Sequence, residues 1–356
     1  MALEALTTGA TQPVQLHEDK ERSYPFPLSL VGALEKFSYE ETTPTIGREY
    51  PSLNIVDDLL NASNADDLIR DLAITISQRG VVFFRSQDNL TNDLQKQLVH
   101  RLGQLTGKPM GDDQISTISS LQRKKLQRDL RKSKSKRYDA AQWHSDIQFE
   151  PVPADYTSLR LTELPTTGGD TLWASGYDIY DLFSKPYQKF LEGLTATFIG
   201  EGFLAAAAAN PEKVKLHEGP RGNDANVGRE LKAVHPVVRT NPVTGWKSIF
   251  AVGPFPRYIN ELSDQESSEL LEKFGRTILE NHELQVRFKW RNKNDLAIWD
   301  NRSAFHTATF DYDGLGERFG NRAVGIGEMP YFDPNSKSKA EALSGRKSNG
   351  ANNTDE

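Results

Sequence analysis

Apolar residues recur along this chain at two periods, and the change from one to the other marks out its elements. Leu68, Ile69, Leu72, Ala73 and Ile76 keep a spacing near 3.6. That spacing predicts a helix begun at Ser63 or Asn64, where a short polar side chain can cap free amides, and ended at Gly80. Val81 to Phe84 then reads as a strand. A second helix is expected from Thr91 through Leu94, Leu98 and Leu102 to Gly103. A third follows Ser263, which with Glu266 makes a capping box ahead of Leu270, Leu271, Phe274 and Ile278.

Most of the remaining chain is strand-like. Leu159 and Leu161 alternate with Ser158, Arg160 and Thr162, and Val286, Phe288 and Trp290 alternate with Gln285, Arg287 and Lys289, the pattern of strands with one buried face. Turn signals at Thr166-Thr167-Gly168-Gly169, Asn241-Pro242-Val243-Thr244-Gly245 and Asn292-Lys293-Asn294-Asp295 separate such stretches. Many strands, short turns and few helices point to a mainly β fold with flanking helices, a jelly-roll (double-stranded β-helix, cupin-like) core rather than a doubly wound sheet. The Ala205 to Ala209 run reads as helix or linker. Residues 1–48 are polar and Pro-containing, an arm or surface wrap, and residues 336–356 look like a flexible tail, which leaves 49–335 as the folded domain.

Composition narrows the chemistry. A chain of 356 residues can form one large domain with a substantial core. With no cysteine, disulfides, thiolate ligands and a Cys nucleophile are excluded, so a metal must sit on nitrogen and oxygen. The absence of a long apolar stretch makes a soluble cytoplasmic protein with no membrane partner the expectation. A net charge of -6 argues against a nucleic-acid partner. Locally the balance reverses: Arg123 to Arg137, within a basic insertion at 121–137, holds nine Lys or Arg in fifteen residues. It reads as a solvated helix or loop over a site entrance that draws anions inward.

Within that frame one constellation carries chemistry: Trp143-His144-Ser145-Asp146, then His306 160 residues later, with Arg318 and Arg322 just downstream. Two imidazoles and one carboxylate can occupy one face of a non-haem Fe(II) ion and leave the other open to a cosubstrate and dioxygen. The arginines suit anions. A His-x-Asp triplet alone is weak, since seven His and 25 Asp predict about 0.5 by chance. His17-Glu18-Asp19 is read as such an accident. His144 differs by opening Ile147-Gln148-Phe149, where a strand would aim positions i and i+2 to one side.

Together with Leu164-Pro165-Thr166-Thr167-Gly168-Gly169-Asp170-Thr171-Leu172-Trp173, His235-Pro236-Val237-Val238-Arg239-Thr240 and Ile298-Trp299-Asp300-Asn301-Arg302, these residues resemble the taurine/2-oxoglutarate dioxygenase family. The likeness spans roughly residues 50 to 335 and is nearest its fungal sulfonate dioxygenase branch. It implies Fe(II), 2-oxoglutarate and O2, with His144, Asp146 and His306 as iron ligands. Thr171 and Arg318 match the residues that hold the distal carboxylate of 2-oxoglutarate, Arg322 the arginine for a substrate sulfonate, and Phe255 a substrate-lining aromatic. Lys108 and Ala140 stand where the taurine pattern has a histidine and an asparagine. A lysine still suits an anionic head group, whereas the amine end of taurine loses its partners.

The implied reaction hydroxylates the carbon beside a sulfonate and releases sulfite and an aldehyde with succinate and CO2. The same chemistry on a sulfate ester, amino acid, carboxylate or secondary-metabolite intermediate is the alternative, and a noncatalytic jelly-roll binding protein is a third reading. The substrate in either enzymatic case is a small anionic organic molecule. A homo-oligomer is compatible with the chain.

Overall fold

A computed structural model describes residues 25–107, 114–119, 143–212 and 214–350. Its largest sheet has seven strands in the order β1 (Glu40–Glu41), β2 (Arg48–Tyr50), β3 (Val81–Phe84), β13 (Asp295–Asp300), β5 (Ala154–Glu163), β15 (Phe319–Ile326) and β4 (Gln114–Ser119). All pairings in it are antiparallel except β2 with β3. A three-stranded sheet joins β12 (Gln285–Phe288), β6 (Thr171–Ser175) and β14 (Ala304–Ala308). Another joins β11 (Pro256–Ile259), β7 (Thr195–Ile199) and β8 (Lys232–Pro236), and β9 (Val238–Thr240) pairs with β10 (Lys247–Ile249).

The pleat of the central strands explains their sequences. Val81, Phe83, Leu159, Leu161, Ala297 and Trp299 pack with Trp173, Val286, Phe288 and Ala304, filling the space between the seven-stranded sheet and the β12–β6–β14 sheet. The alternate residues Val82, Phe84, Leu296 and Ile298 meet Leu68, Leu72, Ile76, Leu98 and Leu102 on the other side. A strand covered on both faces reads as an unbroken apolar run. The half-buried pattern expected for β5 is therefore wrong on its polar side: Ser158 and Arg160 are buried. Gln95 Nε2 donates to Ser158 Oγ at 3.0 Å, and Arg160 reaches Asn92 Oδ1 and Asn294 Oδ1 at 2.8 Å each.

The helices follow their caps. Ala65–Arg79 ends at Gly80, whose φ of 74° needs no Cβ; Asn92–Gln104 starts where Thr91 Oγ1 accepts from the Leu94 amide; and Asp264–Glu280 carries the reciprocal Ser263/Glu266 box. Two expectations fail. Gly176–Asp181 and Lys185–Glu192, in a stretch read as strand, are helices. Glu201–Ala209 is helical, one of the two readings its alanine run allowed. The expected loose tail forms the helix Lys339–Gly350, begun by a capping box in which Ser338 and Glu341 bond each other's backbone amides. Lys339 Nζ ties it to Thr45 O and Asp178 Oδ2 at 2.8 Å each. At the other end the expected domain boundary falls inside β2. No helix among the described residues is long and apolar enough to cross a membrane.

His235, on β8, is buried against Phe198 and Phe250. Its Nε2 lies 3.0 Å from the Gln148 and Glu150 carbonyl oxygens and must donate, while buried Nδ1 has no partner among the described residues. A second proton would have no acceptor, and burial pushes its pKa down from 6.5 to about 4. Between those values the unfolded chain binds the proton and the fold does not. Stability present above pH 6.5 is lost as pH falls, by on the order of 3 kcal/mol from this group. His235→Gln is expected to flatten the acid limb of the urea midpoint over that range.

Candidate active site

The site forms where the Trp143 segment lies against β14. His144 and His306 face each other as an isolated antiparallel bridge, their amides and carbonyls exchanging bonds of 3.1 and 2.8 Å. That places the two imidazoles side by side, with ring centroids 4.3 Å apart. Asp146 completes the set, and the three ligand atoms lie within 4.8 Å of one another; no other three His, Asp or Glu side chains converge in this way among the described residues. The expected strand over 147–149 is absent. The chain turns there instead, and Ile147 takes φ 46°, an uncommon conformation for a β-branched residue. Convergence of His144 and Asp146 comes from this turn and the bridge to His306, not from strand alternation.

Asparagine 301 holds the turn in place. Its Oδ1 accepts from the Asp146 amide at 3.0 Å and from Trp299 Nε1 at 3.1 Å, while Nδ2 donates to Asp155 O and to Thr157 Oγ1. Thr157 in turn donates to Asp146 Oδ2 at 3.2 Å. Sequence reading assigned neither residue a role, although Asn301 stands inside a quoted motif. Gly253 was also missed. It has φ 101°, and a Cβ there would collide with the Trp143 carbonyl oxygen. Gly253→Ala is expected to shift His144 and lower ferrous affinity about tenfold or more, an effect of the size seen when supports of metal ligands are lost. A metal titration of the folded variant checks it.

The donor set fits a ferrous ion. His306 is buried, its Nδ1 has no partner among the described residues, and burial, reinforced by His144, pushes its pKa down to about 3. It is therefore a neutral imidazole with one ring-nitrogen lone pair to give. Burial alone would raise the Asp146 pKa, but the Arg322 guanidinium beside it outweighs this and holds the carboxylate ionised below its usual range. Arg322 Nη1 donates to Asp146 Oδ1 at 2.6 Å.

Register also brings Thr171 beside Arg318. On β6, Thr171 lies opposite Ala308 of β14 and Phe288 of β12, two residues from the Trp173–His306 pair. Arg318 is buried just before β15; its Nε donates to Gly169 O at 2.8 Å and Nη2 to Thr171 Oγ1 at 3.1 Å. Gly169 has φ 71°, and a Cβ there would lie 2.9 Å from Arg318 Cδ, so the Gly-Gly turn leaves the room that the arginine fills. Arg318 and Arg322 flank a bulge at Phe319/Gly320. The Phe255 ring stands edge-on to His144 at 6.2 Å. Of the residues named from sequence, His144, Asp146, His306, Thr171, Arg318, Arg322 and Phe255 are thus brought to one region. Lys108, Ala140 and the basic insertion lie outside the described residues.

Comparison with known proteins agrees with this geometry. The family model described as taurine catabolism dioxygenase TauD, TfdA family, matches residues 38–324. The alpha-ketoglutarate-dependent dioxygenase oryG of Aspergillus oryzae is 46% identical over 335 residues, covering 90% of this chain and 97% of that protein. The alpha-ketoglutarate-dependent sulfonate dioxygenase of Saccharomyces cerevisiae is 28% identical over 337 residues, covering 90% and 76%. The crystal structure of a taurine dioxygenase from Burkholderia xenovorans superposes with a TM-score of 0.62 at 23% identity, covering 84% of this chain and 94% of that one. The shared fold, the matched length and the buried His-Asp-His set lead to one assignment: the chain belongs to the TauD/TfdA family and is a dioxygenase that works with Fe(II), 2-oxoglutarate and O2.

Proposed function

We propose that this dioxygenase hydroxylates the carbon beside an anionic head group, a sulfonate in the leading reading, with Arg322 as the anchor. The observation that carries it is the 2.6 Å contact of Arg322 with the Asp146 carboxylate: a cation stands immediately beside a metal ligand, where it can seat an anion with its neighbouring carbon facing the iron. The sulfonate dioxygenase named among the relatives supports that choice of anion. His144, Asp146 and His306 hold the iron, Thr171 and Arg318 take the distal carboxylate of 2-oxoglutarate, and Phe255 supplies an apolar wall. Lys108 is proposed as a further contact to the anion. The domain proposed for this work is 49–335 extended at its N-terminal edge to take in β1 and β2, folded as a double-stranded β-helix in which the β12–β6–β14 sheet closes over the seven-stranded one.

Bound iron with 2-oxoglutarate and O2 supplies the oxidative decarboxylation that drives hydroxylation. The protein's share is placement, and a misplacement near 1 Å can cost about 10²-fold. On an alkyl sulfonate, one oxygen atom of O2 enters succinate and the other the C–H bond beside sulfur. The resulting hydroxysulfonate loses its C–S bond to give an aldehyde and sulfite. A sulfate ester is the second reading, because Arg322 recognises an anionic head group whether sulfur is bonded to carbon or to oxygen; that substrate releases sulfate.

A panel of sulfonates, sulfate esters, carboxylates and amino acids, read by succinate, sulfite and sulfate together, tests the proposal. Substrate-dependent succinate with equimolar sulfite is expected. Turnover of uncharged substrates in preference to anions would overturn it.

A further inference from the structure

We propose that Trp290 is a positioning residue for the cosubstrate: with Arg318 it commits the Thr171 hydroxyl to act as a donor, so that the pocket selects an ionised carboxylate at the far end of the 2-oxoacid. This rests on the reading of Thr171 and Arg318 as the distal-carboxylate site.

Thr171 is 2% exposed, and its Oγ1 accepts from Trp290 Nε1 and from Arg318 Nη2, each at 3.1 Å. An indole N–H and a guanidinium N–H can only donate, and a hydroxyl has two acceptor lone pairs and one proton. Both lone pairs are therefore taken. Among the described residues no partner accepts the Thr171 proton, so O–H is the polarity left to a ligand. Beside a guanidinium, that makes a site of donors only. A carboxylate matches it; a carboxamide sets its own N–H against these donors and leaves buried groups unmatched.

The geometry that fixes Trp290 is built into the sheet. Phe288 pairs with Thr171 across β12 and β6, and Trp290 follows two residues on, 6% exposed and packed edge-on against the Phe288 ring at 5.0 Å. The indole cannot turn away without opening the core between the sheets. Arg318 is fixed just as firmly by its bond to Gly169 O.

Calorimetric titration of the Mn(II)-loaded full chain with N-oxalylglycine, and with the glycinamide analogue that replaces its distal carboxylate by an amide, tests the inference without turnover. Trp290→Phe keeps the ring and removes the donor. It is expected to weaken N-oxalylglycine about tenfold, to leave the amide unchanged or tighter, and so to lower the carboxylate-over-amide preference about tenfold. Thr171→Val is expected to lower that preference as well, and the double variant to be no worse than Thr171→Val alone, because Trp290 acts through Thr171. An unchanged preference in Trp290→Phe, or additive losses in the double variant, would overturn the role of Trp290. If Mn(II)-loaded wild type fails to bind N-oxalylglycine, the cosubstrate reading falls, and this inference with it.

Discussion

Replacing Asp146 by Ala is expected to lower ferrous affinity by about 10²–10³-fold and to reduce succinate formation to background. The carboxylate is the site's one anionic ligand, and it is held from three sides: Arg322 Nη1 on Oδ1 at 2.6 Å, Thr157 Oγ1 on Oδ2 at 3.2 Å, and its backbone amide on Asn301. Without it, His144 and His306 would face a dication near the Arg322 guanidinium with no anionic ligand to offset either charge. Truncating one member of a buried charge pair costs about 2–5 kcal/mol, and each 1.4 kcal/mol is about tenfold. Anaerobic ferrous titration beside a succinate assay checks both parts. Affinity within a few-fold of wild type would mean that another donor holds the ion and that the triad is misassigned.

The second large effect separates the two arginines. Arg318 bonds Gly169 O and Thr171, whereas Arg322 bonds Asp146; four positions apart in sequence, they meet different partners, and the roles proposed for them differ accordingly. Arg318→Ala is expected to raise KM for 2-oxoglutarate about 10²-fold or more while leaving KM for the organic substrate within a few-fold. Arg322→Ala is expected to do the reverse. Because Arg322 also touches a metal ligand, ferrous affinity of that variant is measured alongside, and Arg322→Lys keeps the charge while losing the planar fork. Equal effects of both alanine variants on both constants would refute the division of roles.

Much of this site was legible because its chemistry depends on side chains that few other positions in the chain combine. His144, Asp146 and His306 follow from ligand type, and Thr171 with the Gly168-Gly169 turn from a motif whose second glycine makes room for Arg318. What escaped acts through the backbone. Gly253 matters because of a carbonyl 110 positions away in the chain, that of Trp143, and no local pattern announces such an approach. Asn301 was in view as part of a motif, but its bonds to the Asp146 amide and the Thr157 hydroxyl exist only after folding. Trp290 looked like one more alternating apolar residue. The C-terminal helix was a different failure: the Ser338-x-x-Glu341 cap was readable, and the polar composition around it drew attention to a tail instead.

Sequence by itself offered the His-Asp-His donor set, two arginines suited to anions, the helix starts at Thr91 and Ser263, and the mainly β character, because each follows from residue chemistry or local period. Tertiary structure alone decided how those donors meet. A single antiparallel bridge between His144 and His306 and a turn with Ile147 at φ 46°, rather than a strand, bring the ligands together. The two-sided burial of β3, β5 and β13, and the partner that each arginine meets, were likewise fixed by packing. The physical reason is common to all of these: they are set by atoms far apart in the chain, whose approach is chosen by the whole core and not by any local stretch of it.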